Sequence, residues 1–290
     1  MGLAHSELIL NADGSIYHLN LLPQDIATTI ILVGDPDRVP KVSQYFDAIE
    51  VKKGKREFLT HTGTVNGSRI SVLSTGIGTD NIDIVFNEMD ALVNIDFSTR
   101  TVKPTHTTLN IVRIGTSGAI PKDIPVNSFL LSEYTIGFDG LLHYYSNKNI
   151  QYPAITKAFV AQTNWSPNKP LPYVVKYDET LGKKLLSDSI ILGFTGTNSG
   201  FYGPQGRVLR LALENPDFNA TLASFTYEQM VITNLEMESA GIYALAKLLG
   251  HRAASMHCIL ANRSTGEFSD TPDEAIDKLI QYTLNKLTEH

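Results

Sequence analysis

The stretch Thr29-Ile30-Ile31-Leu32-Val33-Gly34-Asp35-Pro36-Asp37-Arg38 decides the fold class. Its first half is a short, continuous apolar run, the pattern of a strand buried on both faces. Gly34 permits a close turn, Asp35 offers an N-cap and Pro36 suits the first helical position, which predicts a helix running to about Phe46. Strand, turn and helix in that order make an α/β unit. Outward from it, Asn66-Gly67 stands between apolar runs at 59–65 and 69–74, a hairpin signal that brings antiparallel pairing into the sheet. Further strands are predicted over 109–114, 128–134, 190–195 and 254–261. Helices are predicted over 80–93, 236–249 and 273–286. In the last of these Ala275, Ile276, Leu279, Ile280, Tyr282, Thr283 and Leu287 recur close to a 3.6-residue period. The segments 98–108 and 163–173 gather Pro, Asn and Thr without periodicity and read as surface loops. The expected architecture is α/β, with a central mixed twisted β-sheet flanked by helices, in a single domain over residues 1–290.

Composition narrows the function. With 290 residues, 42% apolar and 19% charged, the chain can build a sizeable core and is not intrinsically disordered. Lys plus Arg is 24 against 30 for Asp plus Glu, a net charge of −6, so nucleic acid is not an expected partner. An anionic small ligand stays open, because a pocket needs only a few converging arginines. Cys258 is the single cysteine, set in an apolar run, where a small buried hydrophobe is the default reading. No apolar stretch approaches the ~18 residues that cross a bilayer, and no signal segment opens the chain, so a cytoplasmic protein without membrane contact is expected. No two of the eight histidines stand four apart, and one cysteine cannot build a thiolate site, so no metal is expected. Neither a Gly-x-Ser-x-Gly elbow nor a Walker lysine loop is present. Gly76-Ile77-Gly78 has Asn81 at the third glycine position of a dinucleotide fingerprint, and a glycine turn packed on a helix explains it better.

Four segments hold residue types able to do chemistry. Arg113 interrupts the apolar run 109–114, and a guanidinium in a buried strand needs an anion beside it. Gly115-Thr116-Ser117-Gly118 follows, at the strand end where open α/β sheets bind ligands. A bound phosphate and a carboxylate of the chain itself answer that need equally well. In Gly34-Asp35-Pro36-Asp37-Arg38 an arginine falls in the first helical turn against the helix dipole, explained by a bound anion or by a solvent-facing pair with Asp35. Glu236-Met237-Glu238 puts two carboxylates at the start of a helix, where acids are favoured, and where Glu238 could also grip the vicinal hydroxyls of a sugar. Phe201-Tyr202-Gly203-Pro204-Gln205-Gly206-Arg207 joins aromatic faces to an amide and a guanidinium, a set able to stack on a base and read its edge.

These segments, in this order, resemble the nucleoside phosphorylase family that includes uridine phosphorylases and the hexameric purine nucleoside phosphorylases. The matching blocks are Gly34 to Arg38, Arg56-Glu57-Phe58, Ser74 to Gly78, Arg113 to Gly118, Glu236-Met237-Glu238 and Asn262-Arg263, and the likeness runs from about His18 to the C-terminus. The resemblance implies a pentosyltransferase that splits uridine with phosphate into uracil and ribose 1-phosphate. It places phosphate on Gly34, Arg38, Arg113 and Thr116, with Arg56 reaching in from a neighbouring subunit. It places the base on Gly118, Phe201, Tyr202, Gln205 and Arg207. It places ribose on Glu236, Met237 and Glu238, with His18 from the neighbour, and makes Arg113, Arg207 and Glu238 the catalytic residues. It further implies a homodimer with shared sites, in some relatives a trimer of such dimers, and no cofactor beyond phosphate as co-substrate. A monovalent cation occurs at the dimer interface of some relatives, where Glu57 could contribute. Purine enzymes carry an aspartate after the strand that contains Cys258; here Asn262 is read at that position, which favours uracil. A purine phosphorylase, a nucleosidase of the same fold and a non-catalytic nucleoside-binding protein remain alternatives.

Overall fold

The computed structural model describes residues 2–146 and 149–289. The deciding stretch forms strand β1 (Thr29–Val33), buried over nearly its whole length as its continuous apolar run requires. Helix α1 (Arg38–Ser43) is shorter than the sequence predicts. Asp35 does not cap it; its carboxylate accepts the Asp37 N–H at 2.9 Å, so residues 35–37 form a turn and the helix begins at Arg38. Strand β2 (Ala48–Lys55) has no counterpart in the sequence reading, because it is a largely exposed edge strand whose lysines give it the look of a loop. Strands β3 (Phe58–Val65) and β4 (Ser68–Ser74) make the expected hairpin. Asn66 at φ 48° and Gly67 at φ 76° supply the two left-handed positions of its turn.

Helix α2 (Thr79–Asn94) is followed by a small ribbon of β5 (Ile95–Asp96) and β6 (Thr101–Val102), within a segment otherwise irregular as expected. Strand β7 (Asn110–Ala119) runs past the end that the sequence predicts at Ile114: residues 115–118 continue it. Small residues there let two other strands approach from either side. Next come β8 (Phe129–Gly137), α3 (Pro153–Thr163), β9 (Tyr173–Lys176) and α4 (Glu179–Leu185). They are followed by β10 (Ile190–Thr197), α5 (Phe218–Ser224), β11 (Thr226–Tyr227) and β12 (Met230–Glu236). The chain ends with α6 (Ser239–Leu248), β13 (Arg252–Asn262) and α7 (Pro272–Thr288). Helix α7 buries Ala275, Ile276, Leu279, Ile280 and Thr283, the stripe its period predicts.

Among the described residues the large strands join one mixed sheet of 11 strands, in the order β11-β12-β10-β8-β13-β7-β1-β4-β3-β2, with β9 on β8. The sheet also closes on itself. Strand β12 pairs back onto β7 through Asn234 opposite Ala119 and Leu235 opposite Gly118, so β7, β13, β8, β10 and β12 form a ring. The central mixed sheet flanked by helices is thus as expected, with a closure that no local signal announces. That closure sets the C-terminal ends of β7, β12 and β13 side by side.

Candidate active site

At those strand ends lies a cavity of about 860 Å³. One wall holds Gly34 from the turn after β1, Arg38 from the first turn of α1, and Arg113 and Thr116 from β7. A second holds Gly118, Phe201, Gln205 and Arg207. Glu236, Met237 and Glu238, between β12 and α6, close the third. Most of the residues that the sequence singles out, scattered from Gly34 to Glu238, therefore meet in one space. His18, Arg56 and Tyr202 do not line it. His18 holds Glu88, with Nδ1 2.6 Å from Oε1 and its backbone N–H on the same carboxylate. Arg56 is exposed in the tight turn between β2 and β3, at φ 56°. Tyr202 is exposed and meets the Phe201 ring edge-on at 5.2 Å.

Arg113 is buried, and its partner is internal: Nη2 donates to Glu238 Oε2 at 2.5 Å. Of the two readings of this arginine the structure shows the carboxylate of the chain itself, and it also places Arg113 on the cavity wall. The other Glu238 oxygen accepts the Gly78 N–H at 2.9 Å, so the Gly76-Ile77-Gly78 turn positions that carboxylate. Gly78 holds φ 97°, where a side chain would be strained. Arg38 donates to the Ile114 carbonyl at 3.4 Å. Burial, and then the neighbouring Arg113, push its guanidinium below the ordinary range, a strain that an anion between the two would relieve.

Glu236 has a different character from Glu238. Its carboxylate accepts the N–H groups of Glu238 and Ser239 and the hydroxyls of Ser239 and Thr197, all between 2.5 and 3.1 Å. It ends β12 and fastens the N-terminus of α6, whose first residue is Ser239 and not 236 as the sequence suggests. Acids are favoured there because the first N–H groups of a helix lack internal partners. Burial raises its pKa above the usual carboxylate range.

On the base side Arg207 donates to Gln205 Oε1 at 2.6 Å and to the Phe201 carbonyl at 2.8 Å, and stacks 3.8 Å over the Phe201 ring. With its oxygen engaged, the buried Gln205 amide offers Nε2 as a donor. Burial and the nearby Arg263 bring the Arg207 pKa down to about 10. Arg263, in the Asn262-Arg263 block, donates to the Gln205 carbonyl at 3.3 Å and lies against Gly118. Asn262, the position compared with the purine aspartate, does not line the cavity: its amide donates to the carbonyls of Pro121 and Ile124 and accepts from the N–H groups of Ser264 and Thr265. Leu260 and Ala261 also line the cavity, although apolar residues at a strand end look like core, and so does Phe268 from the loop after β13.

Asp90, His106 and His251 converge within 4.8 Å, a cluster that histidine spacing does not reveal. The Leu109 N–H donates to His251 Nδ1 at 3.2 Å, so Nε2 carries the proton and faces Asp90 at 3.3 Å. A nitrogen that bears a proton offers no lone pair to a metal, and the group ties the residue before β13 to α2. No helix among the described residues is long and apolar enough to cross a membrane.

Comparison with known proteins agrees with this geometry. The uridine phosphorylase of Thermococcus kodakarensis is 30% identical over 262 residues, 88% of this chain and 80% of that protein. The DeoD-type purine nucleoside phosphorylase of Bacillus velezensis is 24% identical over 274 residues, 92% of this chain and 99% of that protein. The structure of the Trypanosoma brucei nucleoside phosphorylase, which shows uridine phosphorylase activity, superposes with a TM-score of 0.86 at 28% identity, covering 97% of this chain and 99% of that one. The model of the phosphorylase superfamily matches residues 28–288, and the chain belongs to that family.

Proposed function

We propose that the protein is a uridine phosphorylase that converts uridine and phosphate reversibly to uracil and ribose 1-phosphate. The observation that carries this reading is one cavity lined together by Arg38 and Arg113, whose guanidiniums suit an anion, by Glu238, which pairs with Arg113, and by Gln205 and Arg207, which are bonded to each other. Two guanidiniums on one side serve a phosphate and have no task in hydrolysis by water.

Phosphate is already a nucleophile, so the protein has to orient it and stabilise charge. Arg38, Arg113 and Thr116 hold the phosphate beneath C1′, with Gly34 leaving room for its approach. The phosphate oxygen forms a bond to C1′ as the C1′–N1 bond breaks. Hydrogen phosphate gives up its proton and the departing uracil acquires one. Glu238 has two oxygens and only two of its lone-pair sites engaged, by Gly78 and Arg113, so it can still accept ribose hydroxyls and oppose positive charge on the sugar. Met237 packs against the sugar. Gln205 Nε2 donates to a uracil carbonyl, while Arg207, with Arg263 behind it, stabilises negative charge on the leaving base.

His18 and Arg56 lie outside the cavity of their own chain, which suits a homodimer whose subunits complete each other's sites. The substrate assignment is tested with a panel of nucleosides at fixed phosphate. Uridine is cleaved and inosine is not; cleavage of inosine in preference to uridine overturns the pyrimidine assignment.

A further inference from the structure

His257 is wholly buried in β13, in register with Gly115 of β7. Its ring sits between the cavity's central arginine and the start of α6. Nδ1 lies 3.4 Å from Arg113 Nη1, and Nε2 lies 3.5 Å from Ser239 Oγ. A guanidinium has donors only, so Nδ1 has to be the acceptor and the ring proton resides on Nε2. From there the order continues, since the Ser239 hydroxyl donates to Glu236 Oε2 at 2.9 Å. Burial, and then Arg113, hold the ring far below the usual histidine range, so Nδ1 keeps its lone pair. Gly115 completes the arrangement: a Cβ there would stand 1.6 Å from Arg113 Nη1, so only glycine leaves the guanidinium room to fold back over the strand.

We propose that His257 is a positioning residue for Arg113: its Nδ1 accepts from Nη1 and, with Glu238 on Nη2, fixes the guanidinium in the plane that presents it to phosphate. Glu238 grips one nitrogen of the fork and His257 the other, so the planar guanidinium cannot turn about its Cδ–Nε bond without losing one of them. The assignment rests on the reading of Arg113 as a phosphate ligand. The alternative is that His257 only fills a slot between β13 and α6.

Asparagine and leucine have nearly the same shape, but only asparagine can place an oxygen where Nδ1 lies. In His257→Leu the KM for phosphate rises about tenfold, the loss of one hydrogen bond to a charged group, while the KM for uridine stays within about twofold. In His257→Asn the KM for phosphate stays within about threefold of the parent chain. The rise in Tm on adding inorganic phosphate, which needs no turnover, follows the same order. Equal phosphate KM in the two variants, raised or unchanged, overturns the assignment. Nitrogen NMR of the unaltered protein gives a second reading independent of variant folding. It finds Nε2 protonated and a shift of the Nδ1 resonance when phosphate is added. An Nδ1-protonated ring, or an Nδ1 resonance indifferent to phosphate, contradicts it. If the unaltered protein shows neither phosphate-dependent Tm nor uridine cleavage, it is the phosphorolysis reading that fails, a result distinct from equal behaviour of the two variants in a working enzyme.

Discussion

Arg113 and Glu238, 125 residues apart in sequence, form a buried ion pair at 2.5 Å on the wall of the cavity. Its existence follows from the closed ring of strands, which puts β12 against β7 and leaves both charges short of water. A buried charge that loses its partner is destabilising by about 3 to 5 kcal/mol, so Arg113→Ala and Glu238→Ala each lower thermal stability measurably. Their effects on ligands differ: Arg113→Ala weakens phosphate binding, whereas Glu238→Ala weakens nucleoside binding and, by freeing Nη2 of Arg113, phosphate binding as well. Calorimetric melting with separate phosphate and uridine titrations checks both halves. Loss of phosphate binding in Glu238→Ala with uridine binding unaffected contradicts the division of roles.

Under the proposed function Arg207 and Gln205 act on the departing base. Removing one donor to charge that develops in a transition state costs about 100- to 1,000-fold in rate. Arg207→Ala and Gln205→Ala therefore lose uridine turnover on that scale while the affinity for phosphate stays nearly intact. Steady-state kinetics with each substrate varied in turn is the measurement, and full uridine activity in Arg207→Ala removes the basis for the pyrimidine assignment.

Cys258 stands in register with Thr116 of β7 and is wholly buried, and burial raises its thiol from the usual 9.0 to about 11. An acid whose pKa is raised by folding stays neutral below its unfolded value, so its stabilising contribution is complete below pH 9 and is lost as the pH climbs from 9 towards 11. At pH 8 the folded protein resists a thiol reagent such as DTNB and yields one thiol per chain only after denaturation. Fast stoichiometric labelling of the native protein contradicts this placement.

Local signals carried much of the fold. The apolar run of β1, the Asn66-Gly67 turn and the period of α7 act within a few residues and appear where they were expected. The charged edge strand β2 escaped because exposure, not alternation, sets its composition. Residues 115–118 look like a turn because Gly, Thr and Ser cluster there, yet pairing with β13 and β12 on either side keeps them extended. Glu236 was placed in a helix because acids favour helix starts; the same physics operates, with the carboxylate reaching the helix from the end of the preceding strand. Arg38, Arg113, Gln205 and Arg207 are legible because each is a polar group where a bland strand or loop needs none, whereas Glu238 also fits a helix start, where acids are favoured. Leu260 and Ala261 are not, since only the ring closure turns apolar strand ends into a cavity wall, and Phe268 reaches the cavity from the loop beyond β13.

The shared-site arrangement predicts complementation. His18→Ala and Arg207→Ala are each impaired alone. In a mixed dimer one site keeps its own Arg207 and borrows an intact His18, while the other carries both defects. Random reassociation gives about half mixed dimers, so about a quarter of the unaltered activity returns. With reassociation verified by mass, activity that stays at the average of the two variants shows that His18 serves its own subunit or none.

Incubating the protein with uridine and isotopically labelled inorganic phosphate tests most directly the proposal that phosphate, and not water, attacks C1′. One labelled ribose 1-phosphate is expected for every uracil released, and no uracil when phosphate is left out. Uracil release at an undiminished rate without phosphate, with free ribose as the product, contradicts it.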